Sequence, residues 1–397
     1  NWRKTGAAAF FRYIRNDNKV PLAAFPDPAH DDRPTTNPYR IDEMFRHDWA
    51  EIYNRPEGTP PPDWDVFYNT YGRYITPIPL DKRGPPEADE LAKQAARAPP
   101  HSVGGLDSWR PAEHHALPVQ AWQLRATVEK AILDRGAYPD VYYHVPVTEL
   151  RKGDGRRPTD HRGISVYAAN YRVAAGVWWR RLVPGLLLWC HPTAYGGLPG
   201  RECMEAAFDA QTAFERAFLT RTPLAQTNLD YWKFFDTFDP NFFQQLKIAV
   251  GIPPPVADLN YHLNAHAQKR FKIRGHLGEP FATNRGAGQG DSWSLFDALL
   301  FTTVQARLLA DQHPTVAFTS VVDDRALRGP CDDVIAATHT ALAMDHAAGL
   351  VNATSKFVGL ATTESDRRKL RATSFQGQPL KVESDTVHVG FNVTTRR

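Results

Sequence analysis

Apolar and polar positions fall into two regimes along the chain, with the change near residue 116. Before it the sequence is rich in Pro, Asp and Arg. The stretches GTPPPDW (Gly58–Trp64) and RGPPEADELAKQAARAPP (Arg83–Pro100) are expected to break any regular element. Aromatic residues still recur there, among them Phe10, Phe11, Phe45, Trp49, Tyr53, Trp64, Phe67 and Tyr71. Residues 1–115 therefore read as a mostly helical N-terminal extension with Pro-rich loops, draped on a larger body.

Beyond residue 116 the spacing becomes regular. LPVQAWQLRATVEKAILDRG (Leu117–Gly136) has helical periodicity and a closing glycine, and VYYHVPVTEL (Val141–Leu150) alternates as a strand. NYRVAAGVWWRRLVPGLLL is again helical. LAQTNLDYWKFFDTFD (Leu224–Asp239) predicts a strand ending in a charged loop, after which Asp239 and Pro240 open a helix as N-cap and first helical residue. The periodicity of VADLNYHLNAHAQKRFKIRG predicts a second helix, and Arg285–Gln312 a glycine loop entering a long one. A hairpin, a helix over Asp332–Leu350 and closing strands around KVESDTVHVGFNV complete the order. Strands interleaved with helices in this order predict an α+β layer, a small antiparallel sheet with helices on one face.

Composition narrows the chemistry only a little. Net charge is +3, so any site for a polyanion must come from local clustering. The densest basic region holds Arg151, Lys152, Arg156, Arg157, Arg162, Arg172, Arg180 and Arg181, either a solvated turn and helix face or a phosphate-contacting arm. Cys190, Cys203 and Cys331 are far apart with no CxxC pair, which argues against a disulfide framework or zinc ribbon and for an intracellular protein, in nucleus or cytoplasm. The apolar run Leu182–Cys190 is about half of the ~20 residues a bilayer span needs. No membrane anchor is expected. His262 and His266 are four apart, but no Glu follows His262, so they read as a helix face rather than a zinc site. The chain opens at Asn1 without methionine, as a segment of a longer protein would.

The most informative stretch is FTSVVDDRALRG (Phe318–Gly329), where a β-branched run stops at Asp323 and Asp324. Adjacent carboxylates need water or a cation, and a solvated turn is the plainer reading of the stretch alone. In an α+β layer, however, Asp230 at one strand end can lie beside Asp323 at a neighbouring hairpin tip. Carboxylates gathered from two strands suit Mg²⁺, which takes a few carboxylates and shares the rest of its shell with phosphate oxygens and water. Two such ions clamp the attacking and leaving oxygens of a phosphoryl displacement.

The ordered series HRGIS, YGGLPGRECMEA, LDYWKFFD, RGAGQGDSWS, VVDD, GLVNATSK and VHVGF resembles the motif series of reverse transcriptases, most closely those of non-LTR (LINE-type) retrotransposons. It covers about residues 140–397. The resemblance implies right-hand polymerase fingers over 116–225 and a palm over 226–397, the palm a small ferredoxin- or RRM-like antiparallel sheet backed by helices, with the thumb absent. It further implies RNA-templated DNA synthesis from deoxynucleotides with two Mg²⁺ ions, Mn²⁺ being able to replace them. Its partners are an RNA template, a DNA primer, dNTPs and further domains of the same polyprotein.

Carried over residue by residue, the resemblance implies that Asp230, Asp323 and Asp324 are the metal-binding carboxylates. Lys356 falls where a lysine protonates leaving pyrophosphate. Phe235, five positions after Asp230, falls where an aromatic ring under the sugar blocks a 2′-hydroxyl; on its own it reads as a core phenylalanine. Lys152 and Arg162 match triphosphate contacts, Gln289 and Gly290 the loop approaching the nascent base pair, and Arg285, Gly286 and Gly390 positions facing template or primer. Several positions depart from the family. Gly163 replaces the usual proline after Arg162 and is expected to loosen that turn, Ser292 and Leu295 replace two prolines, and Val321 replaces Tyr or Phe. An RNA-dependent RNA polymerase shares the palm but usually has a second Asp at the position of Phe235 and GDD at the hairpin. A non-catalytic RNA-binding derivative of a retroelement is the remaining alternative.

Overall fold

The computed structural model describes residues 24–151, 155–388 and 391–395. Side chains of Asn37 and Asp63 accept the N–H groups of Tyr39 and Val66, and so open α1 (Pro38–Tyr53) and α2 (Trp64–Tyr71). A third helix, α3 (Ala88–Ala95), forms inside the stretch expected to lack regular structure. Pro85, Pro86, Pro99 and Pro100 lie outside it and bound the helix rather than break it, while the Glu87 N–H donates to the Glu90 carboxylate at 3.0 Å. These helices share their cores with the rest of the molecule. Phe45 and Trp49 are buried with Val147 and Phe271, and Phe67 with Phe242.

The chain continues through α4 (Val119–Arg135), β1 (His144–Arg151), β2 (His161–Ser165), α5 (Ala169–Trp189), β3 (Ala194–Tyr195) and α6 (Cys203–Thr220). Then come β4 (Ala225–Leu229), α7 (Pro240–Ala249) and α8 (Pro254–Ala265). Asp239 caps α7 as its sequence predicts, accepting the Phe242 N–H at 2.8 Å. The helix expected to run on from α8 stops at Ala265, and Gln268–Ile273 is a strand, β5. Lys269, Phe271 and Ile273 alternate inward there, a period of two that fits a sheet and not a helix. β5 lies parallel to β1, which pairs antiparallel with β2, so this sheet joins strands from both sides of residue 225.

The last part runs α9 (Ser292–Gln312), β6 (Ala317–Val321), β7 (Asp324–Gly329), α10 (Cys331–Ala347), β8 (Val358–Ala361), α11 (Glu364–Arg371), β9 (Lys381–Val382), β10 (Asp385–His388) and β11 (Phe391–Thr394). The larger sheet has the order β9-β8-β4-β7-β6-β3. Its four central strands are antiparallel, and the pair at each edge is parallel. Leu327 packs with Leu309 of α9 and Val334 and Ala337 of α10, and Thr227 and Thr338 hydroxyls meet at 2.8 Å. On the opposite face Leu360 packs with Ala210 and Phe214 of α6, so helices cover both faces where one was expected. Leu360 and Gln226 face each other across the strands, and so do Leu327 and Thr227; each pair points to its own face, and both are apolar enough to need cover. The architecture is mixed α and β with small sheets, compatible with the α+β class. Among the described residues no helix is long and apolar enough to cross a membrane.

Candidate active site

Strand register brings the acidic segments together. Leu229 of β4 pairs with Arg325 of β7, which sets Asp230 across from Asp324 one step further on. Val321 pairs with Asp324, leaving Val322 and Asp323 as the two-residue turn at the hairpin tip. Val322 has φ 57°, a left-handed conformation that a β-branched residue adopts only under strain of about 1–3 kcal/mol. That strain sits beside the half-buried Asp323 and Asp324. A third segment is pinned to the first two: the Ala353 N–H donates to Asp230 O at 2.9 Å, and Trp232 N–H to Val351 O at 2.8 Å. From it Lys356 reaches back, with Nζ 2.8 Å from Asp230 Oδ2.

Whether these residues suit a divalent cation follows from their number and exposure. Among the described residues no group of three or more His, Cys, Asp or Glu side chains is placed to hold a metal ion. Asp230 is partly exposed and already draws a cationic partner, Lys356. Few carboxylates in an open setting match Mg²⁺, which keeps waters and substrate phosphates in its shell. Asp230 and Asp324, set across from each other at neighbouring strand ends, would leave most of such a shell to water and phosphate.

A cavity of about 330 Å³ brings together three of the expected nucleotide-binding residues, Phe235, Gln289 and Gly290, with Trp179 and Leu295. The glycine loop is built onto the Phe235 segment. Gly286 N–H donates to Phe238 O at 2.6 Å and Ala287 N–H to Phe235 O at 2.7 Å. Gly286 has φ 99°, and a Cβ there would lie 2.8 Å from Asp236 O, so only glycine fits. Gly290 lies against Ser165 and Ile164 of β2. Arg162 is exposed on the same face of β2 as Ile164, by the alternation of the strand. An open groove of about 660 Å³ continues from Trp179 and Arg180 past Gly196 and Gly197 to Val321 at the hairpin.

Beneath the cavity lies a buried polar cluster that sequence reasoning missed. The Gln289 amide donates to Asp236 Oδ2 at 3.0 Å. Burial raises the Asp236 pKa, opposed by Lys269 and Lys233. Burial likewise pulls Lys269 down to about 7, and its Nζ sits 3.3 Å from the centroid of the Tyr53 ring. Both carboxyl oxygens of Glu149 are buried without a hydrogen-bond partner, and burial followed by the Asp236 charge holds its pKa well above the usual range. Gly163 is not a loosened turn. It lies within β2 opposite Glu149, where a Cβ would come 2.9 Å from Val147 Cγ1 and 3.0 Å from Glu149 Oε1. The one sequence signal for this cluster was the inward alternation of QKRFKI, hidden by its fit to a helix.

Other expected residues fall differently. Arg285 is turned inward: its Nε donates to Ile52 O at 2.7 Å and Nη2 to Glu51 O at 3.3 Å, at the C-terminal end of α1. Its guanidinium therefore ties the glycine loop to α1, and the expected contact with template or primer is corrected. Lys152 and Gly390 lie outside the described residues. Of the basic run, Arg181 pairs with Glu90 and donates to Gly84 O and Pro85 O, whereas Arg156, Arg157 and Arg162 are exposed.

The chain is similar to a transposon protein. It is 26% identical over 280 residues to the "Transposon TX1 uncharacterized 149 kDa protein" of Xenopus laevis, covering 66% of this chain and 20% of that one. The chain thus spans one fifth of that relative's length. No family model matches.

Proposed function

We propose that the chain is the fingers and palm of an RNA-directed DNA polymerase of LINE-type retroelement origin. The observation that carries this is one of register: Asp230 and the Asp323–Asp324 tip, 93 residues apart in sequence, converge at adjacent strand ends, while Phe235, Gln289 and Gly290 share one cavity. The similarity to a transposon protein supports the same origin.

Asp230 and Asp323 would hold Mg²⁺ or Mn²⁺, with Asp324 alongside, and the ions would neutralise charge on the phosphates of the incoming nucleotide. The chain's own groups do the rest. Phe235 walls the sugar and leaves no room for a 2′-hydroxyl. Gln289 is oriented by Asp236 toward the nascent base pair, and Arg162 meets the triphosphate from β2. Lys356 carries the proton that the pyrophosphate leaving group takes up. The partners are an RNA template, a DNA primer, dNTPs and the remaining domains of a longer polyprotein.

The test is extension of a DNA primer on an RNA template, with deoxy- and ribonucleotides supplied in parallel. Extension by deoxynucleotides alone supports the proposal. Preference for ribonucleotides points to an RNA polymerase, and template binding without extension to a non-catalytic derivative.

A further inference from the structure

Directly behind the acidic segments lies a buried charge pair that no motif contains. Arg325, the residue after Asp324, and Asp345 of α10 are both 0% exposed, with Nη1 2.9 Å from Oδ2 and 3.0 Å from Oδ1. The same Nη1 donates to Gln305 Oε1 of α9 at 2.8 Å, and Nη2 to Asn352 Oδ1 at 2.9 Å. The guanidinium stacks 3.7 Å from the centroid of the Tyr231 ring, whose hydroxyl donates to Asp345 Oδ1 at 2.8 Å. Gln305 Nε2 also donates to Asp345 Oδ1, at 2.9 Å.

Each contact leads to one segment of the candidate site. Tyr231 follows Asp230, Arg325 follows Asp324, and Asn352 belongs to the loop that carries Lys356 and bridges to Tyr231. One guanidinium thus touches all three segments and anchors them to α9 and α10. A buried ion pair is weak evidence for stability, because desolvation offsets most of its attraction and well-packed apolar residues often replace it without loss. Its rigid, planar, many-donor geometry is what an apolar pair cannot reproduce.

We propose that Arg325 and Asp345 are positioning residues that fix the spacing of Asp230, Asp323 and Asp324 and so set the affinity of the site for divalent cations. The proposal rests on the polymerase function above. Single substitutions would strand a buried charge and unfold the chain, so the informative variant is the double replacement Arg325→Met with Asp345→Leu. Three measurements are made on the whole chain: thermal melting, Mn²⁺ binding followed by electron paramagnetic resonance, and the Mg²⁺ concentration for half-maximal primer extension. The expected result is a folded variant whose melting temperature is modestly lowered, because Gln305, Asn352 and Tyr231 lose buried partners, with Mn²⁺ affinity weakened about tenfold and the Mg²⁺ requirement raised to match. Affinity for the primer–template is unchanged. A folded double variant with native Mn²⁺ affinity overturns the proposal, and so does one that melts far below the native protein, since the pair then serves stability. Failure of the polymerase reading is distinguishable, because the native protein itself would then neither extend a primer nor lose Mn²⁺ on Asp230→Asn.

Discussion

Lys356 Nζ lies 2.8 Å from Asp230 Oδ2, although 126 residues separate them. The ammonium thus occupies the neighbourhood in which a divalent cation would compete for the same oxygen. Lys356→Met should slow primer extension by about a hundredfold, the scale of a lost general acid, and should tighten Mn²⁺ binding at Asp230. Slowed extension with weakened Mn²⁺ binding would instead make Lys356 a support for the metal site.

Phe235 shares its cavity with Gln289 and Gly290, and on the proposed function its flat ring would lie under the sugar. Phe235→Val should raise incorporation of ribonucleotides relative to deoxynucleotides by about tenfold or more, ~1.4 kcal/mol of discrimination. Competition assays at fixed template give the ratio directly, and an unchanged ratio removes the sugar-gate role.

Arg285 holds the last carbonyls of α1, so its loss is a matter of stability. Arg285→Ala should cost about 1–3 kcal/mol in chemical denaturation and leave affinity for an RNA–DNA hybrid within twofold. Weakened hybrid binding at native stability would restore it to the nucleic-acid surface.

Glu149 carries a pH dependence whose sign can be worked out. Its folded pKa is raised above the ordinary 4.5, so the folded state binds the extra proton. The stability it allows is fully present below about pH 4.5 and is lost as pH rises toward the folded value, by about 1.4 kcal/mol for every tenfold fall in proton concentration. Glu149→Gln removes that loss. Melting temperatures of variant and native protein should nearly coincide at pH 4, with the variant higher at pH 8; a gap that shrinks with rising pH contradicts the burial of the carboxyl.

Local signals were legible where one residue decides an element. Asp239 and Pro240 announced α7, and the paired aspartates announced a hairpin tip. Gln268–Ile273 was misread because Lys269, Phe271 and Ile273 also suit one side of a helix over so short a run. Pairing selects the strand, with β1 far back in the chain on one side and the short segments His276–Leu277 and Phe281–Ala282 on the other. The helix Ala88–Ala95 was hidden by prolines that flank it. Arg325 and Asp345 were invisible for a different reason: each looks like an ordinary surface charge, and their burial exists only once β7 and α10 are packed. Arg285 was misplaced because a motif position says where a backbone goes, while the side chain's hydrogen-bond partners lie on α1.

The central claim is that Asp230 and Asp323 form one metal-dependent site. It is tested by the rate of Mg²⁺-dependent primer extension on an RNA template by Asp323→Asn, which replaces a charge by a neutral group of the same shape. The rate should fall to background with melting temperature and hybrid affinity intact; extension at the native rate would contradict it.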